Sequence, residues 1–67
     1  MNEQEMELWK QLQEVANKEY DGHLTILKFT TNWRIGFVTP AEREQIDQMA
    51  VGSSFAEAAR NALSKSS

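Results

Sequence analysis

Cysteine is absent from this 67-residue sequence, and histidine occurs once, at His23. The first absence excludes disulfides and thiolate metal sites, the second a histidine-rich metal centre. No cofactor is called for. No run approaches the roughly 18–20 apolar residues of a membrane span. The start, Met1-Asn2-Glu3-Gln4-Glu5, is acidic and polar where a secretory signal is basic, so a cytoplasmic location is the expectation. A positive balance is missing too: seven basic side chains face ten acidic ones, for a net charge of −3. Such a surface repels phosphate backbones at long range, and nucleic acid is not an expected partner.

What is present is an ordinary globular composition, 40 % apolar, in a length that supports one domain spanning residues 1–67. A domain of this size buries only about 60 % of the surface its unfolded chain exposes. Its core then leaves a net stability of roughly 3–5 kcal/mol at best. Small domains offset that deficit with disulfides, a metal or association. The first two are excluded, so a homo-oligomer or a protein partner is expected.

Residues 2–20 have the pattern of an amphipathic helix, with Leu8, Trp9, Leu12, Val15, Ala16 and Tyr20 recurring every three or four positions. Asn2 and Glu5 have the spacing of a capping box. Asp21-Gly22 ends the helix, with Gly22 free to adopt left-handed backbone. Residues 23–38 read as a β-hairpin around a three-residue loop, Thr30-Thr31-Asn32, with Asn32 left-handed. That loop sets Phe29 opposite Trp33, Leu27 opposite Ile35 and Thr25 opposite Phe37, and places the five apolar members on one face. Leu24, Ile26 and Lys28 then share the other face with Val38, Gly36 and Arg34. A two-residue turn would shift the register by one and mix these faces. Thr39-Pro40-Ala41-Glu42 reads as a helix start, with the helix running to about Ala50, burying Ile46 and Met49 and ending at Gly52. Ser54-Phe55-Ala56-Glu57 opens a last helix faced by Phe55, Ala58, Ala59, Ala62 and Leu63, with Ser64–Ser67 frayed. The fold class is therefore α+β: an N-terminal helix, a two-stranded antiparallel β-hairpin and two C-terminal helices (α-β-β-α-α).

Few residues carry chemistry. In that register Lys28 and Arg34 stand side by side near the hairpin tip, where two cations repel without an anion between them. Thr30, Thr31 and Asn32 add polar groups, and Trp33 offers a stacking surface. One reading is an anion or nucleotide site built from Lys28, Thr30, Asn32, Trp33 and Arg34. The plainer one pairs each cation with a helix carboxylate and puts Trp33 in the core. Gly52-Ser53-Ser54 precedes a helix start that could hold a phosphate, but Glu57 competes for the same donors and favours simple capping. Two C-terminal helices joined by a short glycine-containing turn have the order of a helix-turn-helix. The last of them carries only Arg60 and Lys65 as cations, too few to reach phosphates and guanine edges together. His23 has no nucleophile partner in the sequence pattern and reads as structural. Glu3 and Glu7 lie one turn apart and face solvent.

The stretch DGHLTILKFTTNWRIGFVTP, from Asp21 to Pro40, resembles short uncharacterised bacterial and phage proteins with an FTTNWR-type hairpin. MAVGSSFAEAARNAL, from Met49 to Leu63, is similar to the turn and helix that follow the sheet in such chains. The likeness to phage proteins implies an inhibitor of a host system as one reading. There is a further likeness to HicB-type antitoxin domains, from which this sequence departs by lacking an evident third strand.

The residues themselves, with no catalytic constellation, point to a non-enzymatic binding protein. It acts as a homo-oligomer or docked subunit through the hairpin and N-terminal helix, with Trp9, Leu24, Ile26 and Val38 as the interface. The alternative is a small protein that binds or sequesters an anionic ligand such as a nucleotide through the Lys28/Arg34 tip.

Overall fold

A computed structural model describes residues 2–66. The elements follow in the order α1 (Glu3–Glu19), β1 (Thr25–Lys28), β2 (Trp33–Gly36), α2 (Arg43–Gln48), β3 (Ala50–Gly52) and α3 (Phe55–Ser66). The class is α+β, and the sheet has three antiparallel strands in the order β1-β2-β3.

α1 begins with the expected capping box. Asn2 accepts from the Glu5 amide at 2.8 Å, and the Glu5 carboxylate accepts from the Asn2 amide at 3.2 Å. These bonds satisfy two of the donors that every helix start leaves free. The helix ends where Asp21 and Gly22 both turn to positive φ, 57° and 85°, and the Gly22 amide donates back to the Ala16 carbonyl at 2.8 Å. Leu8, Leu12 and Ala16 form its buried stripe.

The hairpin register differs from the expected one. Thr25 pairs with Gly36, Ile26 with Ile35, Leu27 with Arg34 and Lys28 with Trp33. The Phe29 amide donates to the Asn32 carbonyl at 2.8 Å, so the turn is the two residues Thr30-Thr31. Asn32 does not take the left-handed backbone, since Asp21 is the non-glycine residue with positive φ among the described residues. The one-residue shift exchanges the two faces of β1. Leu24 and Ile26 turn inward with Trp33, Ile35 and Phe37 and pack against the core, while Leu27 and Phe29 turn outward with Arg34. Lys28 and Arg34 consequently lie on opposite faces.

The third strand replaces the end of the expected second helix. α2 starts at Arg43 rather than Pro40 and stops at Gln48, and its cap residue Glu42 makes no side-chain capping bond. Thr39 does not cap it; its hydroxyl lies 2.7 Å from His23 Nε2. Ala50–Gly52 then pairs with Trp33–Ile35. Six residues of helix gain little against three residues of ladder with a covered inner face. Met49 is buried as expected, while Ile46 is half-buried.

α3 packs on β3, β2 and α1. Ser54 caps it, accepting from the Glu57 amide at 3.1 Å, and the Glu57 carboxylate takes the Ser53 hydroxyl at 2.9 Å. Ala58, Ala59 and Ala62 are buried, and their small size lets the helix approach closely. At Gly52 the approach is so tight that an added Cβ would meet the backbone of Glu57 and Ala58 at 2.8–2.9 Å. The helix runs to Ser66; Ser67 lies outside the described residues. The core joins Leu8, Leu12 and Ala16 to Ile35, Phe37, Ala50, Phe55 and the three alanines. Leu12 and Ile35, both fully buried, each contribute about 1.5–3 kcal/mol by leaving water.

Candidate docking edge and groove

Both helices that carry the core, α1 and α3, lie on the inner face of the sheet, and α3 takes the place over β2 and β3. α1 lies beside α3 on the β1 side. A groove runs there between α1 and β1. Toward the helix C-terminus it is a concavity of about 350 Å³ lined by Trp9, Gln13, Asn17, Gly22, Leu24 and Ile26. Toward the N-terminus a second one of similar size is bounded by Glu5, Trp9, Ile26, Trp33 and Phe55. Glu5, Trp9, Gln13 and Asn17 recur every fourth residue and so form one wall.

Trp9 belongs to both concavities and is 39 % exposed, with Met6 exposed beside it. Its ring packs on Phe55 at 6.4 Å, and Phe55 in turn meets the edge of Trp33 at 5.7 Å. The indole is thus held in place by an aromatic chain while one side stays open.

The backbone of β1 forms the floor's free margin. In an antiparallel ladder, hydrogen-bonded pairs alternate with pairs whose polar groups point away. The Phe29–Asn32 bond makes Leu27–Arg34 and Thr25–Gly36 the bonded pairs. The N–H and C=O groups of Ile26 and Lys28 therefore point away from β2. The far edge of the sheet obeys the same alternation: the outward Val51 carbonyl accepts from Asn61 Nδ2 at 2.7 Å. Asn61 of α3 guards that edge, whereas among the described residues no side chain bonds the outward groups of Ile26 and Lys28.

The hairpin tip has a different character. Arg34 donates to Asn32 Oδ1 at 3.2 Å and to the Ile46 and Asp47 carbonyls at 3.4 and 3.2 Å, which ties off the C-terminal end of α2. Lys28 stands 5.7 Å from the Trp33 ring centroid, on the other face. Thr31 and Asn32 bond each other at 3.2 Å. The five tip residues Lys28, Thr30, Asn32, Trp33 and Arg34 do not converge on one cavity. Phe29, Asn32 and Arg34 instead share a shallow cleft with Ile46, Asp47 and Arg43.

Of the expected interface residues, Trp9, Leu24 and Ile26 meet in the groove. Val38 is 63 % exposed and lies at the other end of the hairpin, near Tyr20, which stacks on Phe37 at 4.6 Å. Gln13 and Asn17 were missed; their four-residue spacing from Trp9 was the available signal. Among the described residues no cluster of three His, Asp or Glu side chains is placed to hold a metal, and no helix is long and apolar enough to cross a membrane.

No protein family, curated protein or solved structure matches the chain.

Proposed function

We propose that this chain is a non-enzymatic binding protein that works docked to another polypeptide through the β1 edge and the α1 groove. The carrying observation is the coincidence of three features in one place: outward backbone groups at Ile26 and Lys28, an apolar floor of Leu24 and Ile26, and the half-open Trp9 indole. An edge strand offers main-chain bonds for affinity, and pockets for alternate side chains give specificity. Aromatic side chains partly exposed beside a cavity are the usual anchors of such contacts.

The nucleotide-binding alternative has less support, because Lys28 and Arg34 sit on opposite faces and Arg34 already serves α2. The test is site-specific photo-crosslinking in the cells that make the protein. A crosslinker at Trp9 or Gln13 should capture a second chain, while the same group at the exposed Arg60 should not. A free monomer with no adduct from either groove position refutes the reading.

A further inference from the structure

A separate concavity lies around Tyr20 and Val38, walled by the end of β2, by α2 and by the last turns of α3. Its volume is about 330 Å³. The floor belongs to the core, since Ile35, Phe37, Met49, Ala50 and Ala62 all line it and all are buried. Tyr20, stacked on Phe37 at 4.6 Å, stands beside that floor. At the share of about 30 Å³ that a water molecule takes in the liquid, the space holds roughly eleven non-hydrogen atoms. An apolar recess with a few polar groups at its mouth is the common form of a small-molecule site.

The polar groups that line it are biased toward donors. Lys65 is the one charged residue among them. Its ammonium spends one of its three N–H groups on the Gln48 carbonyl at 3.3 Å. Gln45 Oε1 accepts from the Ala41 amide at 2.6 Å, so the end of that side chain left for a ligand is the NH₂, which only donates. The Tyr20 hydroxyl and the Gln48 side-chain amide make no bond among the described residues, and both can donate as well. No carboxylate lines the space, in a chain whose ten acidic side chains outnumber seven basic ones. The other concavities lack this bias: Glu5 bounds the groove under Trp9, and Glu42 and Asp47 share the tip cleft with Arg34 and Arg43.

α2 supplies the wall with the weakest support. Its six residues include none that is buried, and its N-terminus has no side-chain cap. So short a helix is marginal on its own, and Arg34 fastens only its C-terminal end. A molecule held by Gln45 on one side and Lys65 on the other would tie α2 to α3.

We propose that this concavity binds a small monocarboxylate with an apolar body of about eight carbons. The body rests on Ile35, Ala50 and Ala62, and the carboxylate accepts at the mouth from Lys65 and from the Gln45 amide. Occupancy orders α2. The site stands apart from the β1 edge and does not depend on docking there.

The probe is octanoate, followed through the methyl resonances of Met49, Ala50 and Ala62. All three should shift saturably, and at about ten times the Kd amide exchange across Arg43–Gln48 should slow roughly ten-fold. Lys65 is exposed, so its charge is worth only a few-fold in affinity. 1-Octanol, with the same body and a neutral head, should therefore bind about five-fold more weakly, and octylammonium more weakly still. Lys65→Gln should erase the advantage of octanoate over octanol and leave the affinity for octanol unchanged, a pattern that a merely structural lysine would not produce. Lys65→Arg should keep the advantage. Three results would overturn the proposal: no saturable methyl shift up to about 10 mM octanoate; octanol or octylammonium binding as tightly as octanoate; or an advantage of octanoate that persists in Lys65→Gln.

Discussion

Replacing Gly52 with alanine tests the close approach between β3 and α3. An ideal Cβ at this position meets the Ala58 amide nitrogen, the Glu57 carbonyl carbon at 2.8 Å and the Ala58 Cα at 2.9 Å. All three are backbone atoms, so no rotamer change relieves the overlap. Reaching ordinary contact requires the first turn of α3 to withdraw by roughly 0.5 Å or more, which already forfeits a quarter or more of each affected dispersion contact. That turn carries Phe55 and Ala58, both buried, and Phe55 links Trp9 to Trp33. Overpacking a rigid site costs about 1–3 kcal/mol, and a clash confined to backbone belongs at the upper end. Against a net stability of roughly 3–5 kcal/mol, Gly52→Ala should remove about half of it or more. Urea unfolding followed by tryptophan fluorescence reads this directly, and with a slope near 1 kcal/mol/M the midpoint should fall by about 2–3 M. Gly36→Ala is the matched control. Its Cβ would meet the flexible Met49 side chain at 3.4 Å, so the midpoint should not fall and should rise by no more than about 1 M. If Gly52→Ala and Gly36→Ala unfold at the same urea concentration, the argument for a backbone-limited contact fails.

Other substitutions probe single interactions. Arg34→Met should free the Ile46 and Asp47 carbonyls and speed amide exchange across Arg43–Gln48, costing about 1 kcal/mol locally; unchanged exchange there would show that α2 does not depend on the guanidinium. Ser54→Ala removes the cap of α3 and should lower stability by about 1 kcal/mol in the same urea assay, so a midpoint equal to the parent's would count against the cap. Asn61→Ala uncovers the Val51 carbonyl; a loss of roughly 0.5–1.5 kcal/mol is expected, and light scattering should show new concentration-dependent association, whose absence would mean the amide guards nothing.

The two long helices were legible because their signals are local. Asn2, Glu5 and Gly22 mark the ends of α1, and Ser54 starts α3 with a hydroxyl that needs only its own neighbours. The hairpin's existence was legible too, but its register was not. Both faces of β1 are apolar, Leu24 and Ile26 on one and Leu27 and Phe29 on the other, so alternation could not choose between them. The choice is made at a distance, by which set meets Trp9, Phe55 and the alanines of α3. β3 was hidden for a related reason. Three residues, Ala50-Val51-Gly52, cannot display a period of two, and alanine and glycine are poor strand formers whose inner positions here require small size beneath α3. Of the candidate site, Leu24 and Ile26 read as the hairpin face that the helices leave uncovered, whereas in the structure they turn inward against the core, beside Trp9. What gathers them is the one-residue register shift, and the same shift separates Lys28 from Arg34.

The asymmetry between the sheet's margins has a consequence for stoichiometry. A β layer with two receptive borders can propagate, each newcomer presenting a fresh border to the next, which is the route to fibres. Here Asn61 covers the outward carbonyl of one border, at Val51. A layer with one border covered in this way cannot extend in both directions.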